Sequence, residues 1–177
     1  MLEKFFNFLD LKPSDYGEDT ISLHVDNNDS YVCANVKLTS NDDNGLNEPE
    51  ALVDQTDGAG NGELAQNVNF FWWADDGDNV LENNEAVISE GPIGDIGPVG
   101  SSVTVPLADS VVNIWATSTP GPLPGDSTRY IGKAWCFGDI TPAPLNQDGL
   151  GPESPTTPAN SNGGIICDGS LLDNSTQ

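Results

Sequence analysis

The sequence predicts an all-β protein, a jelly-roll-like β-sandwich with long loops and one or two short helical turns. Three observations carry that expectation. Apolar residues alternate with period two, as strands with one buried face require, and no stretch sustains the 3.6-residue period of an amphipathic helix. Nineteen Gly and thirteen Pro interrupt regular structure along the 177 residues. The alternating stretches are short and separated by Asp-, Asn-, Gly- and Pro-rich turns, which suits a sandwich, and no fixed repeat points to a solenoid.

The elements follow in order. Residues 19–25 place Ile21, Leu23 and Val25 on one face, and residues 31–39 do the same with Val32, Ala34, Val36 and Leu38. Asp and Asn between them supply the turn chemistry. Residues 62–66 predict a single helical turn, leading into a strand at 67–73. That strand sets Val68, Phe70 and Trp72 on one side and Asn69, Phe71 and Trp73 on the other. Further strands are expected at 86–89, 102–107, 111–116, 128–137 and 164–167, with a second helical turn at 107–110. Leu11-Lys-Pro-Ser-Asp15 and Leu123-Pro-Gly-Asp126 echo each other, each setting Pro and Asp in a turn just before a strand. The chain is expected to be one β-sandwich domain over residues 1–177, truncated at both ends. Residues 139–164 form a long Pro/Gly/Asn-rich loop within it.

Charge excludes several functions. Twenty-eight acidic residues against five basic ones give a net charge of −23. That field repels phosphate backbones, so no nucleic-acid partner is expected, and it attracts divalent cations. No segment approaches the ~18 apolar residues of a membrane span, so no direct membrane insertion is expected.

Cys33, Cys136 and Cys167 show no C-x-x-C spacing. Cys136 and Cys167 bracket a stretch rich in Pro, Gly, Asn, Ser and Thr, which a disulfide would staple in an oxidising compartment. Three unlinked thiols are the alternative. His24 is the only histidine and lies opposite the apolar face of its strand. No H-E-x-x-H, G-x-S-x-G or phosphate-cradling loop occurs, and nothing singles out one carboxylate pair for glycoside hydrolysis. The expectation is a protein that is not an enzyme, with no catalytic residues.

The densest chemistry is Trp72-Trp-Ala-Asp-Asp-Gly-Asp-Asn-Val-Leu-Glu-Asn-Asn-Glu85. In an EF-hand-like frame Asp76, Asp78, Glu82 and Glu85 take positions three, five, nine and twelve, with the Val80 carbonyl at seven. Ala74 falls where Asp is wanted at position one, and Asp75 is the neighbour able to supply that oxygen. A structural calcium ion held by Asp75, Asp76, Asp78, Val80, Glu82 and Glu85 is the expectation. A solvated acidic hairpin turn is the alternative. Phe71, Trp73, Trp115 and Trp135 either pack between sheets or form a carbohydrate-stacking platform. Asn28-Asp-Ser30 and Asn174-Ser-Thr176 match the glycosylation acceptor pattern.

Several segments together resemble TasA/camelysin-like surface proteins. They are Phe6-Asn-Phe8, the run from Leu11 to Asp29, Gly62-Glu-Leu-Ala-Gln66 and the aromatic run into Asp75–Asn79. Tyr130-Ile-Gly-Lys-Ala-Trp-Cys-Phe-Gly138 and Ile165-Ile-Cys-Asp-Gly169 complete the likeness. The resemblance implies a secreted jelly-roll sandwich at the cell surface or in an extracellular biofilm matrix. It implies a fibre subunit that assembles by strand donation with copies of itself or with other matrix proteins. The metallopeptidase label attached to the camelysin name is not carried over, because no zinc-binding motif is present. The alternative function is a carbohydrate-binding module of a larger surface protein.

Overall fold

A computed structural model describes residues 10–43, 45, 48, 50–52, 55–116, 119–144, 161, 162 and 164–169. The stretch around Phe6 and Phe8, residues 145–160 of the expected loop and the triplet at Asn174 lie outside them. The described residues form nine strands: β1 (Tyr16–Val25), β2 (Val32–Lys37), β3 (Val68–Trp73), β4 (Val87–Pro92), β5 (Ser102–Ala108), β6 (Ser127–Phe137), β7 (Asp139–Pro142), β8 (Ser161–Asn162) and β9 (Ile165–Asp168). One α-helical turn, α1 (Leu64–Asn67), leads into β3, and 3-10 turns lie at Glu50–Leu52 and Ile93–Ile96. The protein is all-β.

Every pairing is antiparallel. Four strands form the central sheet in the order β1-β6-β3-β4, β2 pairs with β5, and β7-β9-β8 make a third sheet. These pairings give sheets of four, two and three strands, so the jelly-roll's two four-stranded sheets are not drawn among the described residues. The two echoed turns precede two strands of the central sheet that pair with each other, β1 and β6. Ser14 (φ 72°) precedes β1 and Asp126 (φ 54°) precedes β6.

Register fixes which side chains share a face, because directly opposed residues point the same way. Phe71 and Glu18 both oppose Ala134, and Trp73 and Thr20 both oppose Gly132. On this face Phe71, Trp73 and Ala134 are buried together with Leu81 and Ile165, and Ile140 packs against them. Leu81, β7 and β9 therefore cover the central sheet here. The Phe71 and Trp73 rings lie 6.1 Å apart, and burying two such side chains contributes roughly 2–3 kcal/mol each. The opposite face turns toward β2 and β5. There a cavity of about 230 Å³ is lined by Phe70 and Trp72 from β3 and by Val36, Val103 and Val105. Lys133 projects on that same side, its ammonium 5.7 Å from the Trp72 ring. Burial lowers its pKa, and the Asp19 charge opposes that shift.

Cys136 and Cys167 form a disulfide with a Cα–Cα distance of 5.6 Å, tying β6 to β9. Cys33 is a free thiol on the exposed side of β2.

Three expected elements differ. Residues 111–116 are not a strand. Asp109 Oδ1 accepts the N–H groups of Val111 and Val112, and the Asn113 side chain accepts that of Trp115. Those bonds turn the chain back on itself, leaving one bridge from Ala108 to Asn113. The expected helical turn at 107–110 is taken by the end of β5, where Leu107 and Ala108 are fully buried. The stretch assigned to a loop from 139 begins as β7, which pairs with β9 beside the disulfide.

Candidate metal centre

β3 delivers the chain from buried Trp73 directly into the acidic turn, whose mouth is closed by Ala74 N–H donating to Ala86 O at 2.9 Å. Asp75 follows the strand inward and is only 1% exposed. The turn then folds around its carboxylate. The Asn79 N–H donates to Asp75 Oδ1 at 3.2 Å, and Thr20 of β1 donates to Asp75 Oδ2 at 3.4 Å. Thr20 also bonds the Asn79 side chain. Val80 N–H donates to Asp78 Oδ1 at 2.9 Å, an Asx-type turn. The reversal needs left-handed backbone at Gly77 (φ 119°) and Asn79 (φ 63°). Asn tolerates that region, but at Gly77 a Cβ would also meet the Tyr130 ring at 2.9 Å.

Carboxylate oxygens of Asp75, Asp76 and Asp78 lie within 4.8 Å of one another. Asp76 and Asp78 are exposed, so one buried and two solvent-facing carboxylates converge. Such a set of oxygen donors suits a hard divalent cation over softer metals. Glu85 is placed differently. Its Oε1 accepts the Asp76 N–H and its Oε2 the Glu82 N–H, both at 2.9 Å. The carboxylate that an EF-hand would commit to calcium here clamps the backbone of the loop. Glu82 is buried, and its carbonyl accepts the Glu85 N–H. Val80 is half-buried, and its N–H is the donor to Asp78 Oδ1. Of the expected carboxylate ligands, the structure brings together Asp75, Asp76 and Asp78.

Two contributors have no local signal in the sequence. Thr20 and Glu18 come from β1, more than fifty residues earlier, and reach the turn only because β1 and β3 flank β6. Glu18 Oε1 is buried and has no hydrogen-bond partner among the described residues. Burial, and then the Asp75 charge, raise its pKa to about 7. Burial likewise pushes Glu85 to about 7 against the two N–H groups that favour its charged form. Asp75 is raised by burial first and then by Asp78 and Asp76, while Asn79 and Thr20 pull the other way. The turn is therefore a place where negative charge is held at a cost.

Elsewhere, Trp73 and Trp135 are 0% and 5% exposed, so neither offers a flat stacking surface. Trp115 is half-buried, with its Nε1 donating to Tyr130 O. His24 lies exposed on β1 and meets only the hydroxyls of Ser22 and Thr128 among the bonds described. No family model, curated protein or solved structure matches the chain.

The two raised glutamates fix the sign of a pH dependence. Each holds its proton more tightly folded (about 7) than at its ordinary value of 4.5. The folded state thus binds more protons between those values, and stability falls as pH rises through about 7. In chelator, the melting temperature at pH 5 should exceed that at pH 8 by several degrees, on the order of 1–2 kcal/mol after discounting for solvent screening. Glu18→Gln should flatten this slope, which separates the local effect from the overall negative charge. A melting temperature that rises from pH 5 to pH 8 contradicts the account.

Proposed function

We propose that this chain is a secreted structural module of the cell surface or extracellular matrix, with a structural calcium ion on its acidic turn. The observation that carries the reading is the convergence of Asp75, Asp76 and Asp78 at the end of the buried strand β3. A divalent cation there relieves the repulsion among the three carboxylates and locks the turn, and with it the strand that holds Phe71 and Trp73 in the core. The Cys136–Cys167 bridge supports an oxidising compartment, where calcium is plentiful. Assembly with a second copy or another matrix protein uses an outer strand of the central sheet. β1 and β4 are its edges among the described residues, and an edge offers unpaired backbone groups to an incoming strand. Negative-stain microscopy of the full-length protein, with and without calcium, tests this. Fibres or ordered oligomers in calcium are expected, and strictly monomeric particles under both conditions contradict assembly.

A further inference from the structure

β6 outruns its neighbour. β3 pairs with it from Val68↔Phe137 only as far as Trp73↔Gly132, while β1 continues on the other side to Val25↔Ser127. Beyond Gly132 no strand among the described residues pairs with this side of β6, and two side chains bond its carbonyls. Trp115 Nε1 donates to Tyr130 O at 2.8 Å, and Arg129 Nη1 donates to Thr128 O at 2.8 Å. Between this edge and the acidic turn lies a cleft of about 390 Å³. Its lining includes Asp76, Asn84, Glu85, Trp115, Arg129 and Tyr130, and its size is that of a small-molecule site, ~300–1,000 Å³.

We propose that this cleft binds a neutral saccharide, one sugar ring lying against Trp115 with its hydroxyls spanning to the turn. The chemistry of the walls selects that class. The exposed Asp76 carboxylate only accepts hydrogen bonds and the Arg129 guanidinium only donates them, whereas the Asn84 amide does both. A sugar hydroxyl also does both, so a ring with several hydroxyls satisfies every wall at once. An anionic ligand meets Asp76, Glu85 and a molecule of net charge −23. A cation is drawn to the same carboxylates and opposed by Arg129, so spermidine is the decisive competitor in the test below. The Trp115 indole is pinned by its Nε1 bond, so little side-chain entropy is lost when a ring packs on it. This goes beyond the structural calcium reading, although Asp75 and Asp76 border both the cleft and the acidic cluster.

The test follows the Trp115 indole N–H by NMR while short neutral oligosaccharides of glucose, mannose, galactose and N-acetylglucosamine are titrated in turn. Each titration is run in calcium and in chelator, so that loss of the metal site and loss of the sugar site are told apart. At least one series should shift the resonance saturably, with a Kd of about 0.1–1 mM. Trp115→Ala and Asn84→Ala should each weaken it at least about tenfold. Asn84 is exposed, so its variant keeps the fold even where Trp115→Ala does not. Absence of a shift with all four series, a shift that survives Asn84→Ala unchanged, or a response to spermidine or citrate in place of the sugars would overturn the proposal.

Discussion

Replacing Cys136 and Cys167 together by alanine should lower the melting temperature by about 10 °C, the larger of two strong effects expected in this fold. The bridge spans 31 residues of sequence, and closing such a loop is worth about 3–4 kcal/mol on the chain-entropy account. The position of the bridge matters as much as its length. It fastens β9 to the central sheet, and β9 with β7 covers the face carrying Phe71 and Trp73. Without it, that cover should open first, so protease cleavage within the 137–166 interval should precede global unfolding. Reducing the wild-type protein should reproduce both changes, because Cys33 is not part of the bridge. A melting temperature within about 2 °C of wild type would show that packing alone holds the cover in place.

Gly132→Ala is the second. Gly132 opposes Trp73 across the β3–β6 ladder, and the Trp73 indole lies directly on it. A Cβ built there runs into the five-membered and six-membered rings of that indole. Trp73 is 0% exposed and cannot swing into solvent. Overpacking of this kind costs typically 1–3 kcal/mol and occasionally more, and the rigidity of both partners places Gly132→Ala at about 3 kcal/mol. Trp73→Phe vacates part of the volume, so the two substitutions should be coupled. The double variant is expected to be more stable than the sum of the singles by about 1 kcal/mol or more. Denaturant unfolding of the four proteins measures that coupling, and strict additivity would remove the argument.

The strands were legible because period-two alternation is a local property. Leu23, Val36, Phe71 and Val105 all signal their strands within a few residues. Asn67–Trp73 shows the limit of that signal. It is apolar on both sides, and only the pairing tells which side meets β9 and which meets β2 and β5. Residues 111–116 carry strand-forming Val, Ile and Trp, but Asp109 and Asn113 captured the backbone N–H groups a ladder would use. β7 was hidden beside prolines, since Asp139–Pro142 is too short to show alternation and its partner β9 lies more than twenty residues later. The same contrast holds at the candidate site. Asp75, Asp76 and Asp78 are contiguous and stand out by composition. Thr20 and Glu18 arrive through sheet order, and the inward turn of Glu85 depends on where two backbone N–H groups point, which residue spacing does not encode.

Calorimetric titration of calcium into the folded protein, paired with melting curves, bears most directly on the metal centre. About one ion per chain is expected, with a Kd near the 10⁻⁴–10⁻³ M of extracellular modules. At roughly ten times that concentration stability should rise by about 1.4 kcal/mol. Asp76→Asn and Asp78→Asn change exposed side chains, so both should fold normally while losing the heat and the gain in melting temperature. No heat in the wild-type protein, with a melting temperature unchanged by calcium, would contradict the account and leave the turn a solvated acidic hairpin.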